Sequence, residues 1–176
     1  MNQELLQALE QEAREPITAG LSNQESSQTE RLFASLLRSI IETIYLTPVQ
    51  QKDTIARRTG EDLIRRTASV SPKDRVEYLI REKLDQDVRN LGVQAFAIAK
   101  QLLIKPDQRE SLVPQARSIM ADVERLEREI VHTWPAQVGR YGQIISEIKL
   151  DCHYVARSTE KTSLRLGRLI KAGKRK

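Results

Sequence analysis

The sequence predicts an all-helical fold, an up-and-down bundle of about six or seven helices with a long C-terminal helix. Apolar residues return every third or fourth position through most of the chain, which is the period of a helix that buries one face. The chain has only seven glycines and six prolines in 176 residues. Sheet proteins draw on both residue types for their many tight turns, so this scarcity favours long helices with few connections.

The first two predicted helices cover the N-terminal quarter. One spans about residues 2–15 and ends at Pro16, because proline interrupts the backbone hydrogen bonding of a helix. Ser27 and Glu30 have the spacing of a capping box and predict the start of the second helix, which runs to about Leu46. This helix carries the widest apolar face and is predicted to lie at the centre of the core: Leu32, Phe33, Leu36, Leu37, Ile40, Ile41, Ile44 and Tyr45.

Two hydroxyl–proline pairs predict the next helix starts. Thr47-Pro48 opens a mostly polar helix to about Ala68, and Ser71-Pro72 opens a fourth helix that is predicted to end at Gly92. The segment 93–105 follows as a fifth short helix, apolar enough to be buried.

The last two predicted helices meet at a proline corner. The sixth begins near Asp107, and Trp134-Pro135 separates it from the long C-terminal helix. That helix carries apolar or threonine residues in alternating steps of four and three, the pattern of a coiled-coil seam: Tyr141, Ile145, Ile148, Cys152, Val155, Thr159, Thr162, Leu166 and Leu169. The seam packs either within the bundle, as a hairpin with the sixth helix, or against a partner chain. In the second case we expect the partner contacts at Tyr141, Ile145, Ile148 and Val155.

The length and composition suit one domain, predicted over residues 1–156, with residues 157–176 as a basic helical extension of it. A single cysteine excludes an internal disulfide, and no apolar run reaches the roughly 18 residues of a membrane span. The first fifteen residues lack the basic and apolar regions of a signal peptide. These features predict a location in the cytoplasm or, in a eukaryote, the nucleus.

Few residues suggest catalysis or metal binding. Glu129 and His132 have the Glu-x-x-His spacing of di-iron bundle proteins, but the second pair that such a site needs is missing. Cys152 and His153 are adjacent, so on a helix they point about 100° apart and do not form a nucleophile–base pair. We therefore predict no catalytic residue, metal site or cofactor. An enzyme with a carboxylate or arginine site inside the bundle remains an alternative.

Basic residues are distributed unevenly along the chain. The net charge is +5, with −4 over residues 1–46 and +7 over residues 152–176. Nineteen of the 29 basic residues are arginine, the side chain that grips a phosphate through two hydrogen bonds. Two clusters are predicted to contact a nucleic-acid backbone without reading its sequence. One is on the third helix (Arg57, Arg58 and Arg65), and the other is at the C-terminus (Arg157, Lys161, Arg165, Arg168, Lys171, Lys174 and Arg175).

The sequence therefore predicts a non-catalytic helical adaptor or assembly subunit. It would bind a partner protein, or a second copy of itself, and touch nucleic acid through its basic C-terminal segment. A pure protein–protein oligomerisation module is the first alternative, and the hidden enzyme site is the second.

Overall fold

The computed structural model describes residues 1–157, and every regular element in that range is helical. The six α-helices are α1 (Gln3–Thr18), α2 (Asn23–Leu46), α3 (Lys52–Ser69), α4 (Arg75–Ile104), α5 (Arg109–Thr133) and α6 (Val138–Arg157). Short 3₁₀ turns precede α4, α5 and α6, at Pro72–Asp74, Pro106–Gln108 and Pro135–Gln137. The all-helical prediction is confirmed.

The chain forms two compact units, an N-terminal unit (Met1–Asp87) and a C-terminal unit that begins at Val88. The N-terminal unit contains α1, α2, α3 and the first half of α4. In it, α1 packs against α2 and α3, and α2 packs against α3. The buried apolar side chains form one core: Leu6, Leu9, Ala13, Ile17, Phe33, Leu36, Leu37, Ile41, Ala56, Leu63 and Leu79. As its wide apolar face predicts, α2 is a major contributor.

A glycine allows the close approach of α1 and α3. A Cβ atom added at Gly60 would lie 2.6 Å from Cδ1 of Leu9, which is fully buried. Glycine costs about 1 kcal/mol relative to alanine inside a helix. At position 60 the absence of a Cβ atom offsets this cost, because it lets the side chain of Leu9 pack directly on the α3 backbone.

The C-terminal unit contains the second half of α4 and the α5–α6 hairpin. The hairpin is antiparallel, because Arg109 at the start of α5 donates to the carbonyl of Ala156 near the end of α6, and Lys149 pairs with Glu127 between them. This is the hairpin alternative that the corner at Trp134-Pro135 suggested. The apolar faces of both helices are buried: Leu112, Ala116, Ile119, Val123, Leu126 and Ile130 on α5, and Tyr141, Ile145, Ile148, Cys152 and Val155 on α6.

Two predicted boundaries at the N-terminal end are wrong. The second helix begins at Asn23, because Ser22 and Glu25 form a capping box of the same spacing one turn before Ser27. Since α2 starts there, the loop before it is only about four residues long. In addition, α1 continues past Pro16 to Thr18, and the residue after the proline, Ile17, is buried in the core.

The prediction that Thr47-Pro48 starts a helix is also wrong. Thr47 instead ends α2: its backbone N–H donates to the carbonyls of Thr43 and Ile44, and its hydroxyl donates to Ile44 at 2.8 Å. The next helix starts at Lys52, after Gln51 in a left-handed conformation with φ of 55°. A threonine can cap the start of one helix or the end of another. Here the carbonyls at the end of α2 are the nearer hydrogen-bond partners of Thr47.

The start at Ser71-Pro72 is confirmed, whereas the end at Gly92 is wrong. The hydroxyl of Ser71 bonds Asp74 at 2.8 Å, and α4 follows from Arg75. It runs unbroken through Gly92 to Ile104, so the fourth and fifth predicted helices are one. No proline or cap follows Gly92, and a Cβ atom added there would meet Cδ1 of Ile148 on α6 at 3.7 Å, an ordinary van der Waals distance, so the position suits any helical residue.

The predicted boundary between a domain of residues 1–156 and a basic extension falls at the end of the described range and stays a prediction. The extension, the second half of the heptad seam (Thr159, Thr162, Leu166 and Leu169) and the long C-terminal helix beyond Arg157 lie outside the described residues.

Candidate nucleic-acid interface

The predicted cluster on α3 divides into one paired and two exposed arginines. Arg57 bonds Glu12 of α1 at 2.7 and 2.9 Å and Glu61 at 2.7 Å. These two carboxylates, Glu61 first, raise the pKa of the guanidinium. Arg57 thus holds α3 to α1, and a phosphate would have to displace both ion pairs to reach it.

Arg58 and Arg65 lie on the solvent side of α3. Arg58 is exposed, and the side chain of Arg65 is 77% exposed with only a loose contact of 3.7 Å to Asp62. The neighbouring Arg66 pairs with Asp62 at 3.1 Å and with Glu82 at 3.3 Å. The α3 flank therefore has two available arginines among alternating charges, which is a weak attraction for a polyanion.

At the C-terminal cluster, the structure describes only Arg157, which is exposed at the last described position of α6. The other six predicted contacts, Lys161, Arg165, Arg168, Lys171, Lys174 and Arg175, lie outside the described residues. Beside Arg157, the side chain of Arg109 reaches the carbonyl of Ala156 at 3.2 Å. Arg109 thus contacts the backbone of α6 one residue before Arg157. Sequence reasoning missed Arg109, because an Arg-Glu pair at a helix start is typical of a solvated surface.

A further pair of arginines lies on the open face of α2. Arg31 and Arg38 are both exposed and line a shallow hollow of about 470 Å³ with Ser35 and Ser39. Arg31 also lines a neighbouring hollow of about 600 Å³. Sequence reasoning passed over these two arginines, because they stand in the acidic part of the chain.

The four predicted partner contacts of the seam are buried within one chain. Tyr141, Ile145, Ile148 and Val155 are between 0 and 4% exposed, and α6 packs against α5. In the described residues the seam is closed by the hairpin, which is the intramolecular alternative. A contact of these residues with another chain stays a prediction.

The thiol of Cys152 lies in the same buried seam. Burial, and to a smaller extent the charge of Asp151, raises the pKa of this thiol to about 11. At neutral pH the group is a protonated thiol and is therefore a poor nucleophile. A hollow of about 270 Å³ beside it is lined by His153, Glu124, Arg117 and Met120 together with small residues of α5 and α6.

We expect Cys152 to be unreactive toward a thiol reagent at pH 8 in the folded protein and to react once urea unfolds it. An unfolded thiol has a pKa of about 8.5, so the folded state holds the proton more tightly. The resulting stabilisation is complete below that value and is lost as the pH rises toward 11. Urea denaturation between pH 8 and 11 should show a larger loss for the natural chain than for Cys152→Val. Rapid native-state labelling at pH 8 would contradict this.

Among residues 1–157, no group of three His, Cys, Asp or Glu side chains is arranged to hold a metal ion. His132 and His153 are both exposed. No helix in the same range combines the length and apolar character that crossing a membrane requires. Comparisons with known protein families, with curated proteins and with solved structures find no match.

The net charge differs between three parts of the chain. The N-terminal unit has twelve bases and fifteen acids, residues 88–157 have ten bases and eight acids, and residues 158–176 have seven bases and one acid. The positive excess of the protein is therefore concentrated after α6, in the segment that begins beside Arg109 and Arg157.

Proposed function

We propose that the chain is a non-catalytic helical adaptor that contacts nucleic-acid backbone through residues 157–176 and binds a partner protein through its folded part. The proposed nucleic-acid contact rests on the charge balance. The segment after α6 has a single acid, Glu160, for its seven bases. In contrast, several bases of the folded part already have carboxylate partners: Arg57, Arg66, Arg81, Lys83, Arg125 and Lys149.

A polyanion is the partner that such a segment favours. Each base that approaches a phosphate releases a condensed counterion, so affinity accumulates without base recognition. Aromatic side chains that could stack on bases are scarce near this segment; Tyr154 is the nearest. We therefore propose binding to duplex DNA or RNA of any sequence, in the cytoplasm or nucleus. Arg58 and Arg65 would be secondary contacts.

We expect the substitution of Lys161, Arg165, Arg168 and Lys171 with glutamine, in the full chain, to weaken duplex binding by at least about a hundredfold at about 0.1 M salt. Four lost phosphate contacts remove four counterion-release terms. Fluorescence anisotropy with two duplexes of unrelated sequence measures the effect, and both duplexes should respond equally.

The matched control removes the same four charges elsewhere. Arg14, Lys73, Arg117 and Arg128 are exposed and lie outside the candidate interface, and their replacement with glutamine should change the affinity by less than about tenfold, the effect of net charge alone. Equal losses in the two quadruple variants, or no binding by the natural chain, would disprove the proposed contact segment.

A protein–protein module without nucleic-acid binding is the second candidate. Three large apolar side chains of α4, Val93, Phe96 and Ile104, are more than 60% exposed, as is typical of a protein-binding surface. If neither duplex binds the natural chain, this candidate replaces the first.

A further inference from the structure

The second half of α4 is apolar on two opposite faces. One face is buried in the C-terminal unit and carries Val88, Ala95, Ile98, Ala99 and Leu102. On the other face Val93, Phe96 and Ile104 are 61, 62 and 66% exposed. A helix that is apolar all round is normally covered all round. The sequence predicted burial for this segment, and the structure covers only half of its circumference.

The exposed face also has an unbalanced charge. At 100° per residue, Arg89, Val93, Phe96, Ala97, Lys100 and Ile104 follow one line along the helix, and we call this set the α4 stripe. Residues 88–106 contain no Asp or Glu, whereas Arg89, Lys100 and Lys105 are all exposed. The α4 stripe thus combines apolar side chains with two bases, Arg89 and Lys100, and has no acid.

We propose that the α4 stripe is the docking site for an acidic amphipathic helix of a partner protein. The inference rests on the adaptor function proposed above and gives its protein-binding half a place and a partner chemistry. From Arg89 to Ile104 the stripe is about 22 Å long, which matches roughly four turns of a second helix. Leucine-like residues of that helix would cover Val93, Phe96 and Ile104, and its carboxylates would meet Arg89 and Lys100.

Charge complementarity selects this occupant over two others. The segment 158–176 of the same chain has seven bases and one acid, so it would bring like charge onto the stripe. Two copies of the stripe packed on each other would likewise face base to base. An acidic helix neutralises the bases while it buries the apolar line.

The experiment uses a synthetic acidic helix as the probe. A labelled peptide of about 18 residues, or five helical turns, carries leucines along one face and glutamates on both flanks. Its binding to the full chain is measured by fluorescence anisotropy at about 0.15 M salt. We expect Phe96→Ala to weaken binding about tenfold. Leu150→Ala on α6, where the leucine is 67% exposed between Glu147 and Asp151, is the matched control and should change it by less than about twofold.

A charge exchange tests the orientation of the interaction. The double variant Arg89→Glu with Lys100→Glu should lose the acidic peptide and should bind a twin peptide, with lysines for glutamates, about tenfold better than the natural chain does. Because the basic C-terminal segment also attracts acidic peptides, the quadruple variant Lys161, Arg165, Arg168 and Lys171 to glutamine is measured in parallel. It should retain the acidic peptide.

The duplex-binding proposal and the α4 stripe proposal can each be refuted without the other. Phe96→Ala should bind duplex DNA as the natural chain does, and loss of duplex binding by the natural chain would leave the peptide result standing. Any of four results overturns the α4 stripe proposal: no peptide binding, equal binding of a scrambled peptide, loss of the peptide in the quadruple variant, or binding only to phosphatidylserine vesicles in a Phe96-dependent manner.

Discussion

Replacement of Arg75 with methionine should lower the free energy of unfolding of the N-terminal unit by at least about 3 kcal/mol. Arg75 is only 4% exposed, and its side-chain hydrogen bonds go to backbone carbonyls, not to a carboxylate. It donates to four backbone carbonyls, those of Ile17 and Ala19 at 2.9 and 2.8 Å and those of Val70 and Ala68 at 3.1 and 3.3 Å.

These carbonyls belong to the ends of α1 and α3, which have no partners within their own helices and carry partial negative charge. Arg75, as the first residue of α4, therefore joins three helix ends with one positive charge. Methionine fills similar space but leaves four buried or half-buried acceptors unpaired. Lysine keeps the charge but lacks the planar set of five donors, so Arg75→Lys should recover only part of the loss.

Hydrogen exchange of the α1 and α3 amides measures this effect, because it reports on the N-terminal unit alone. Lys73→Met, which removes an exposed cation two residues away, is the control and should change protection by less than about 0.5 kcal/mol. If Arg75→Met left α1 and α3 as protected as in the natural chain, the bridging role of Arg75 would be refuted.

The second large effect is expected at the hairpin. Ile148→Asp should destabilise the C-terminal unit by at least about 4 kcal/mol, because it places an unpaired carboxylate at a site that is 4% exposed and removes a buried apolar side chain. Typical domains are stable by only about 5–15 kcal/mol, so little margin would remain. Urea denaturation followed by the fluorescence of Trp134, which lies at the α5–α6 corner, measures the loss.

Leu150→Asp provides a sharp contrast, because Leu150 lies two residues further along α6 and is 67% exposed. It should shift the urea midpoint little. If the seam instead faced a partner chain, Ile148→Asp would leave a stable monomer with native fluorescence and would lower only the mass measured by light scattering. That outcome would contradict the packing of α6 against α5.

The helical period predicted most of the fold, and its errors have local physical causes. The alternating steps of four and three residues on α6 identify the face that is buried, and Trp134-Pro135 identifies the corner. The starts at Ser27 and Thr47 were wrong because a hydroxyl residue can cap several helix ends, and only the competition with Ser22 and with the α2 carbonyls decides among them. Gly92 was taken as a helix end because glycine often follows the last turn of a helix, whereas α4 continues through it to Ile104.

The candidate sites were less predictable, because contacts between distant parts of the chain decide which side chains are available. Arg57 and Arg58 are adjacent in the sequence, yet one is tied to Glu12 of another helix and the other is exposed. The role of Arg75 depends on carbonyls more than fifty residues away in the chain. The α4 stripe required knowing which face of an apolar helix the fold leaves open. Net charge along the chain is independent of such contacts, and the prediction for residues 157–176 depends on it.

The salt dependence of duplex binding tests that prediction most directly. Seven phosphate contacts, from Arg157 to Arg175, predict that the logarithm of the association constant falls with the logarithm of salt concentration with a slope of about −6 on duplex DNA. Substitution of four of them should reduce the slope to about −3. A slope near zero, or one that the substitutions leave unchanged, would contradict a nucleic-acid role for the basic segment.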